Sequence, residues 1–492
     1  MLRKIRIVVA ALFFALITLL FLDFTGALHL WFGWMAKIQL LPAVLALNVA
    51  VMIGLVVLTL LFGRVYCSVI CPLGVFQDLV SWFSGRRKGK KNRFGYKKEI
   101  KWLRYGMLVL FIVLMILGLN AVALLIAPSS AWGRIATSLL APIYGWCNNL
   151  MAAISAHFGS YAFYPTEVYL KSLPVLIVAA VTLILIVILA WRGGRTWCNT
   201  ICPVGTTLGL FSRFSLFRPV IDTDKCINCT LCGKRCKASC IDTKNHRIDY
   251  SRCVACFDCI ENCNSGAIKY KIACGKKKSD QAGHDASRRA FIAGSALVAG
   301  AVTVEAKKKQ LAEGVAALED KKVPPREVVP VPAGAISRKN FYSHCTACQL
   351  CVSECPNDVL RPSARLATLM QPEMSFENGF CHIDCNRCSS VCPTGAIRLV
   401  ETAADKSAIQ IGHAVVIPEN CVVNRDDVSC GNCARHCPVG AITMVPRGEG
   451  KRFSVPAVNP EQCIGCGACE FHCPARPVSA IYVEGHEVHK ER

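Results

Sequence analysis

Apolar residues are massed in the first 191 positions of this 492-residue chain as four runs, near 7–21, 40–62, 103–127 and 173–191. Beyond them the apolar positions shorten into brief stretches between cysteines and turn residues. The last three runs are long enough to cross about 30 Å of hydrocarbon as helices, and the first is at the lower limit. No small-x-small site precedes Asp23, so the first run is expected as a retained helix rather than a cleaved signal peptide. The pattern predicts an α-helical membrane domain of four spans over 1–215. A Gly/Ala-rich run at 291–306 is a fifth candidate, short of a full crossing at about 24 Å.

The second and fourth runs end alike. Residues 63–74 read GRVYCSVICPLG and residues 194–205 read GRTWCNTICPVG, identical at seven of twelve positions. The membrane domain is therefore expected as a duplicated two-helix unit carrying two C-x3-C-P motifs, Cys67/Cys71 and Cys198/Cys202. Cysteines four apart share a helix face, and the proline discourages helix at the residue before it. Four thiols are thus expected to converge near the inner surface, as metal or redox groups or as close-packed structural cysteines.

Charge sets the orientation. Arg3, Lys4 and Arg6 precede the first run, and residues 64–104 hold eleven Lys and Arg against Asp78 and Glu99. The stretch between the third and fourth runs has only Arg134 and Lys171, so the positive-inside rule places the N-terminus and the 64–104 loop in the cytoplasm. A net charge of +23 would also suit nucleic acid, but here the excess flanks apolar spans, and no nucleic-acid partner is expected. His29 and His157 are the only histidines before the first cysteine quartet, too few and too far out for a transmembrane haem pair. With no C-x-x-C-H site, P-loop or Rossmann fingerprint, a quinone is the simplest membrane carrier.

The second half is organised by cysteine. Twenty-four of 31 cysteines form six quartets. Cys226, Cys229, Cys232, Cys236 and Cys253, Cys256, Cys259, Cys263 share the spacing C-x2-C-x2-C-x3-C with Cys345, Cys348, Cys351, Cys355 and Cys463, Cys466, Cys469, Cys473. Cys381, Cys385, Cys388, Cys392 and Cys421, Cys430, Cys433, Cys437 stretch only the first gap. This is the bacterial ferredoxin run, in which three thiolates hold one cubane and the fourth reaches its neighbour. It implies six 4Fe-4S clusters in α+β ferredoxin-like modules, a two-cluster domain over 216–275 and a four-cluster domain over 336–485. Zinc more often takes two-cysteine knuckles, and disulfides would leave the repeated spacing unexplained. The crossed rule pairs Cys226, Cys229, Cys232 with Cys263, and Cys253, Cys256, Cys259 with Cys236. The regular outer and stretched inner quartets of the second module suggest nesting, third with sixth and fourth with fifth. Cys147, Cys240 and Cys274 fit no pattern and are expected to be structural or incidental.

Between the two modules, 276–335 is expected to be a linker. It contains Ser287-Arg288-Arg289-Ala290-Phe291-Ile292 ahead of the 291–306 run, a twin-arginine export signature; the alternative, a chance match on a cytosolic linker, would leave all six clusters inside. Export of a folded domain suits clusters built in the cytosol. Cleavage after Ala306, or retention as a fifth span, are both compatible with Val304-Glu305-Ala306 and the following lysines. Residues 307–335 are expected as a tether.

Residues 1–275 resemble the membrane-bound ferredoxin-type protein of periplasmic nitrate reductase systems. Residues 285–485 resemble the twin-arginine-exported ferredoxin-type protein of the same systems, here fused into one chain. Asn264 and Lys237 depart from the usual proline after a quartet. The resemblance implies an inner-membrane protein of quinol dehydrogenase type with no substrate reductase site of its own. It would oxidise menaquinol and pass electrons to a periplasmic reductase or c-type cytochrome. A membrane-anchored factor that reduces a metal or disulfide in a client is the alternative, and a membrane redox sensor a further one. His29, Trp31, Trp34 and His157 are the candidates near a quinol site.

Overall fold

The computed structural model describes residues 1–23, 26–85, 94–158, 163–166, 168, 171–272, 321–448 and 452–492. The twin-arginine motif, the 291–306 run and Cys274 lie outside these residues.

Of the four runs, two form uninterrupted helices long and apolar enough to cross a membrane, Leu2–Leu22 and Leu173–Gly193. The first run, marginal by length, is thus a full 21-residue helix. The second and third runs, expected as single spans, are broken. Leu40–Leu45 stops where Leu47 takes φ 50°, and the Asn48 side chain accepts from Val51 N at 3.2 Å to begin Val49–Phe62. An Asn at that position satisfies one of the orphan donors of a new helix. Lys101–Ile116 ends at Gly118, φ 75°, before the short turn Asn120–Ala123.

The stretch between the third and fourth runs holds an unforeseen element. Pro128–Ile135, a π-helical segment Ala136–Leu140 and Ala141–His157 follow one another without a gap and pack against the two long helices. Arg134, expected as a loop charge, is fully buried and donates to the carbonyls of Leu124 and Leu125 at the end of the broken third run. The outward faces of the long helices carry Val8, Leu12, Ile177, Val181 and Ile184, all exposed. So large an apolar surface suits lipid rather than water.

The sequence repeat is also a structural one. Val49–Phe62 and Leu173–Gly193 each end at a glycine with positive φ, Gly63 (74°) and Gly194 (64°). Each is followed by a one-turn helix bearing the first cysteine, Val65–Val69 or Thr196–Thr200, and then by a helix opened by proline, Pro72–Gly85 or Pro203–Ser212. A Cβ on Gly194 would collide with Lys237 O, so the turn also needs glycine for close approach.

Both cysteine-rich parts are built from two-stranded antiparallel pairs. Phe217–Ile221 with Ile268–Ile272, and Ile241–Asp242 with Arg247–Ile248, frame the first. In the second, Ile409–Val416 with Ile481–Glu491 encloses Ile442–Val445 with Val455–Val458, while Leu360–Pro362 pairs with Pro372–Met374. Residues 321–335, expected as tether, belong to this body. Lys322 bridges Val478, Gly485 N donates to Val328 O, and Val331 and Ala335 are buried.

The two bodies dock on opposite ends of the helical domain. Arg3, at the start of the first helix, bonds Asp258 of the first body at 2.7 Å. Beyond the end of the same helix, His29 lies 2.9 Å from Glu354 of the second. A helix of 21 residues separates such ends by about 30 Å.

Candidate metal centres and an adjoining cavity

The cysteines gather in fours. Cys226, Cys229, Cys232 and Cys263 line one small cavity, and Cys236, Cys253, Cys256 and Cys259 another, following the crossed rule. Cys355 joins Cys381, Cys385 and Cys388, and Cys437 joins Cys463, Cys466 and Cys469. Burial pushes the Cys345 thiol well up, with Cys348 and Cys392 the cysteines near enough to add to the effect. Burial likewise pushes Cys433 up to about 11, with Cys430, Cys473 and Cys421 beside it. Nesting is therefore corrected: the third quartet crosses with the fourth and the fifth with the sixth. The reason is reach, because each Cys-Pro tail turns into the adjacent loop.

The regular quartets share a backbone signature that composition hides. In each, the residues flanking the second cysteine adopt positive φ: Asn228 and Thr230, Ala255 and Phe257, Ala347 and Gln349, Gly465 and Gly467. Such φ values are unfavourable for side chains like Phe and Gln and persist only where the surroundings impose them. Successive N–H groups in these turns form concavities suited to anionic groups. Ala347 N donates to Cys345 Sγ at 3.4 Å and Ala441 N to Cys437 Sγ at 3.2 Å. Four thiols around one hollow, with N–H groups aimed at sulfur, match the donor set of an iron–sulfur cluster.

One cysteine expected to be incidental is placed otherwise. Cys240 Sγ lies 3.5 Å from Cys236 Sγ in the cavity shared with Cys253, Cys256 and Cys259. The hydrogen bond with Cys240 brings the Cys236 thiol down to about 7 against the effect of burial, and it lowers Cys253 as well. Only its four-residue offset from Cys236 could have signalled this. Cys147 is exposed, and no role is apparent for it.

The two C-x3-C-P motifs converge as expected. Cys67, Cys71, Cys198 and Cys202 are each at most 4% exposed and within electrostatic reach of one another. The repeats hold each other reciprocally. Arg195 donates to Cys67 O at 2.5 Å and to Asp78 of the first repeat, while Arg64 donates to Gly205 O at 2.7 Å and to Asn199 of the second.

A cavity of about 770 Å³ opens where the second body meets the helices, a size suited to a small-molecule ligand. The π-helical segment lines it through Thr137 and Ser138, with Val175 beside them, and Glu354 and Cys355 form the facing wall. Local π-helix is frequent at functional sites. Thr137 donates to Gln349 Oε1 at 2.6 Å, tying this segment to the loop of the third quartet. Behind Glu354 stands His29, with Asp23 close enough that the three side chains offer ligand atoms within 4.8 Å. Asp23 also accepts from Gly26 N and Leu28 N, which fixes the turn presenting His29. Of the four residues expected near a quinol site, only His29 reaches this region. Trp31 and Trp34 are exposed, and His157 packs edge-on against Phe158.

Comparison with known proteins agrees with the metal chemistry. A family described as "4Fe-4S binding domain" matches residues 44–91 and again 174–221. Families described as "4Fe-4S dicluster domain" match 344–397 and 428–476, the same adjacent pairs that the structure brings together. Among similar curated proteins is the ferredoxin-type protein NapH of Haemophilus influenzae, 28% identical over 38% of this chain and 53% of the relative. The methylamine utilization ferredoxin-type protein MauN of Paracoccus denitrificans is 27% identical over 39% and 54%. The putative electron transport protein YccM of Escherichia coli is 25% identical over 40% and 47%. The chain spans about half the length of these relatives. It carries segments matching 4Fe-4S domain families and is similar to these ferredoxin-type proteins over part of its length.

Proposed function

We propose that the chain oxidises a membrane quinol, menaquinol by the resemblance, and passes the electrons through the four-cluster module to a periplasmic reductase or c-type cytochrome. The observation that carries this reading is the cavity between apolar helices and Cys355, which lets an exchangeable apolar carrier lie against a cluster ligand. Six 4Fe-4S clusters, one in each gathered quartet, would supply one-electron carriers. The chain's own residues bind and deprotonate. Val175 and Phe21 pack the carrier's apolar part, Thr137 and Ser138 face its oxygens, and Glu354 on the cavity wall takes a proton and passes it to His29 2.9 Å behind it. The likeness to NapH supports a periplasmic nitrate reductase system as the destination. The basic 64–104 segment, set against the near-neutral 105–171 stretch, supports the two-cluster domain in the cytoplasm and the four-cluster module outside.

The test is anaerobic mixing of the purified, cluster-loaded chain with a menaquinol analogue while following iron–sulfur absorbance. Rapid bleaching is expected, slowed about tenfold or more by Ser138→Phe, which fills the cavity. No bleaching of the wild-type chain would defeat the reading.

A further inference from the structure

We infer that Cys67, Cys71, Cys198 and Cys202 together ligate one further cubane iron–sulfur cluster, built across the two repeats and lying between the two cluster-bearing bodies.

The first ground is the donor set. Each segment matched as a 4Fe-4S binding domain, 44–91 and 174–221, contains only two cysteines, half of what a cubane requires. The fold supplies the other half by bringing the repeats face to face, and all four thiols are buried, unbridged and outside the six quartets. Donors are already aimed at two of the sulfurs: Gly205 N lies 3.4 Å from Cys202 Sγ and Gln77 Nε2 lies 3.2 Å from Cys198 Sγ. The N–H···S contact at Cys202 matches those at Cys345 and Cys437.

The second ground is charge. Arg64 is completely buried, and its hydrogen bonds go to neutral oxygens: the carbonyls of Gly205, Ser251 and Arg252, and Asn199 Oδ1. Its Nε has no partner, and among the described residues no carboxylate is paired with it. A buried guanidinium without a counter-ion is costly, whereas a thiolate-ligated cluster beside Cys67 supplies the anion.

The third ground is position. On one side Asn199 donates to Ala238 O, two residues from Cys236, and Arg64 reaches the carbonyls of the two residues before Cys253. On the other, Phe76 in the helix after Cys71 packs at a tilt against Trp132, ring centroids 5.3 Å apart. The next residue, Gly133, sits so close to Cys348 O that a Cβ there would collide with it. Tyr66, beside Cys67, bonds Gln39 and Leu40, and neighbouring Leu41 belongs to one apolar cluster with Ala347. Dividing the gap matters because electron transfer slows steeply with distance. One electron enters from one flanking cluster and one leaves to the other; this bridging role, unlike occupancy, rests on the function proposed above.

Iron and acid-labile sulfide in the detergent-purified full chain give the test. About 28 rather than about 24 iron atoms per chain are expected. Cys71→Ser/Cys202→Ser should lose about one seventh of the iron, with the signals of the other clusters kept, while Cys147→Ser loses none. Iron near 24 in the wild type, one bound zinc per chain, or a disulfide among the four cysteines on differential alkylation overturns the proposal, whether or not the double variant folds. In the double variant, quinol should still bleach the four-cluster module but no longer reduce the two-cluster domain. Continued reduction of both overturns the bridge. Absence of bleaching in the wild type would count against quinol oxidation and leave the iron count to decide the site.

Discussion

The helical domain meets its two cluster-bearing bodies in opposite ways. At the two-cluster end the joint is ionic and closed. Across it Lys237, which also holds Asp258 of its own body, reaches Asp78 and Arg3 reaches Asp258, while Arg6 at 2.9 Å and Arg195 at 2.8 Å hold Asp78 from within the helical domain. At the four-cluster end, besides Lys171 with Asp358 at 3.5 Å and His29 with Glu354, the joint is made of backbone carbonyls and neutral side chains. Ser130 donates to Thr346 O, Asn120 to Tyr342 O, and the large cavity is left open beside them. Buried ion pairs fix geometry at high cost if one partner is lost, whereas a looser neutral joint leaves room for a ligand. One end is fixed by buried charge, and the other leaves a cavity open.

Breaking the ionic joint should have the largest effect. Asp78→Asn leaves Arg195, Arg6 and Lys237 without their shared anion, and a loss of about 3–5 kcal/mol is expected, read as a lowered thermal midpoint with loss of the two-cluster signals. At the open joint, His29→Gln should slow quinol-driven bleaching about 100-fold while leaving the thermal midpoint nearly unchanged. An equal loss of stability in both variants would erase the contrast.

Acid sharpens the same comparison. Cluster ligation requires thiolates, so protons compete and iron is released as pH falls. In the four-cluster module burial holds Cys348 at about 11 and Cys466 at about 12, whereas the Cys240 contact brings Cys236 to about 7. Burial raises Cys256 and Cys259 of that same site as well, so the Cys240 contact sets Cys236 and Cys253 apart from their own neighbours. Cys240→Ala should weaken iron retention at the Cys236 site about tenfold, followed as absorbance against pH. The smallest effect concerns His489, which burial, helped by His486, holds down at about 4. The unfolded chain takes up this proton near pH 6.5, so the contribution is full above that value and fades as pH falls toward 4. A loss of about 1 kcal/mol is expected over the first unit, from about pH 6.5 to about 5.5, and His489→Asn should flatten it.

The legible and illegible parts of the chain divide on physical lines. Quartet spacing is local, so the cluster loops were readable, and the crossed pairing of the first two followed from tail length. The same rule, applied between adjacent quartets, would have paired the last four; the stretched first gaps drew attention to an outer and inner pattern instead. Apolar length showed where helices lie but not that Leu47 and Gly118 break two of them, since a hydrophobic break has no polar mark. Arg134 looked like a loop charge because its partners are backbone carbonyls, which a sequence does not display. His29 was among four candidates, and only the approach of Glu354 from a distant segment selected it.

The sequence by itself determined the chemistry: which thiols stand at cluster spacing, where the apolar helices lie, and that one unit is duplicated. These depend on neighbours a few residues apart. Tertiary structure decided which quartets cross, that the two C-x3-C-P pairs share one buried site, and that a cavity opens beside Cys355. Those depend on how separate segments approach, which burial, glycine turns and buried ion pairs set only once the whole chain has packed.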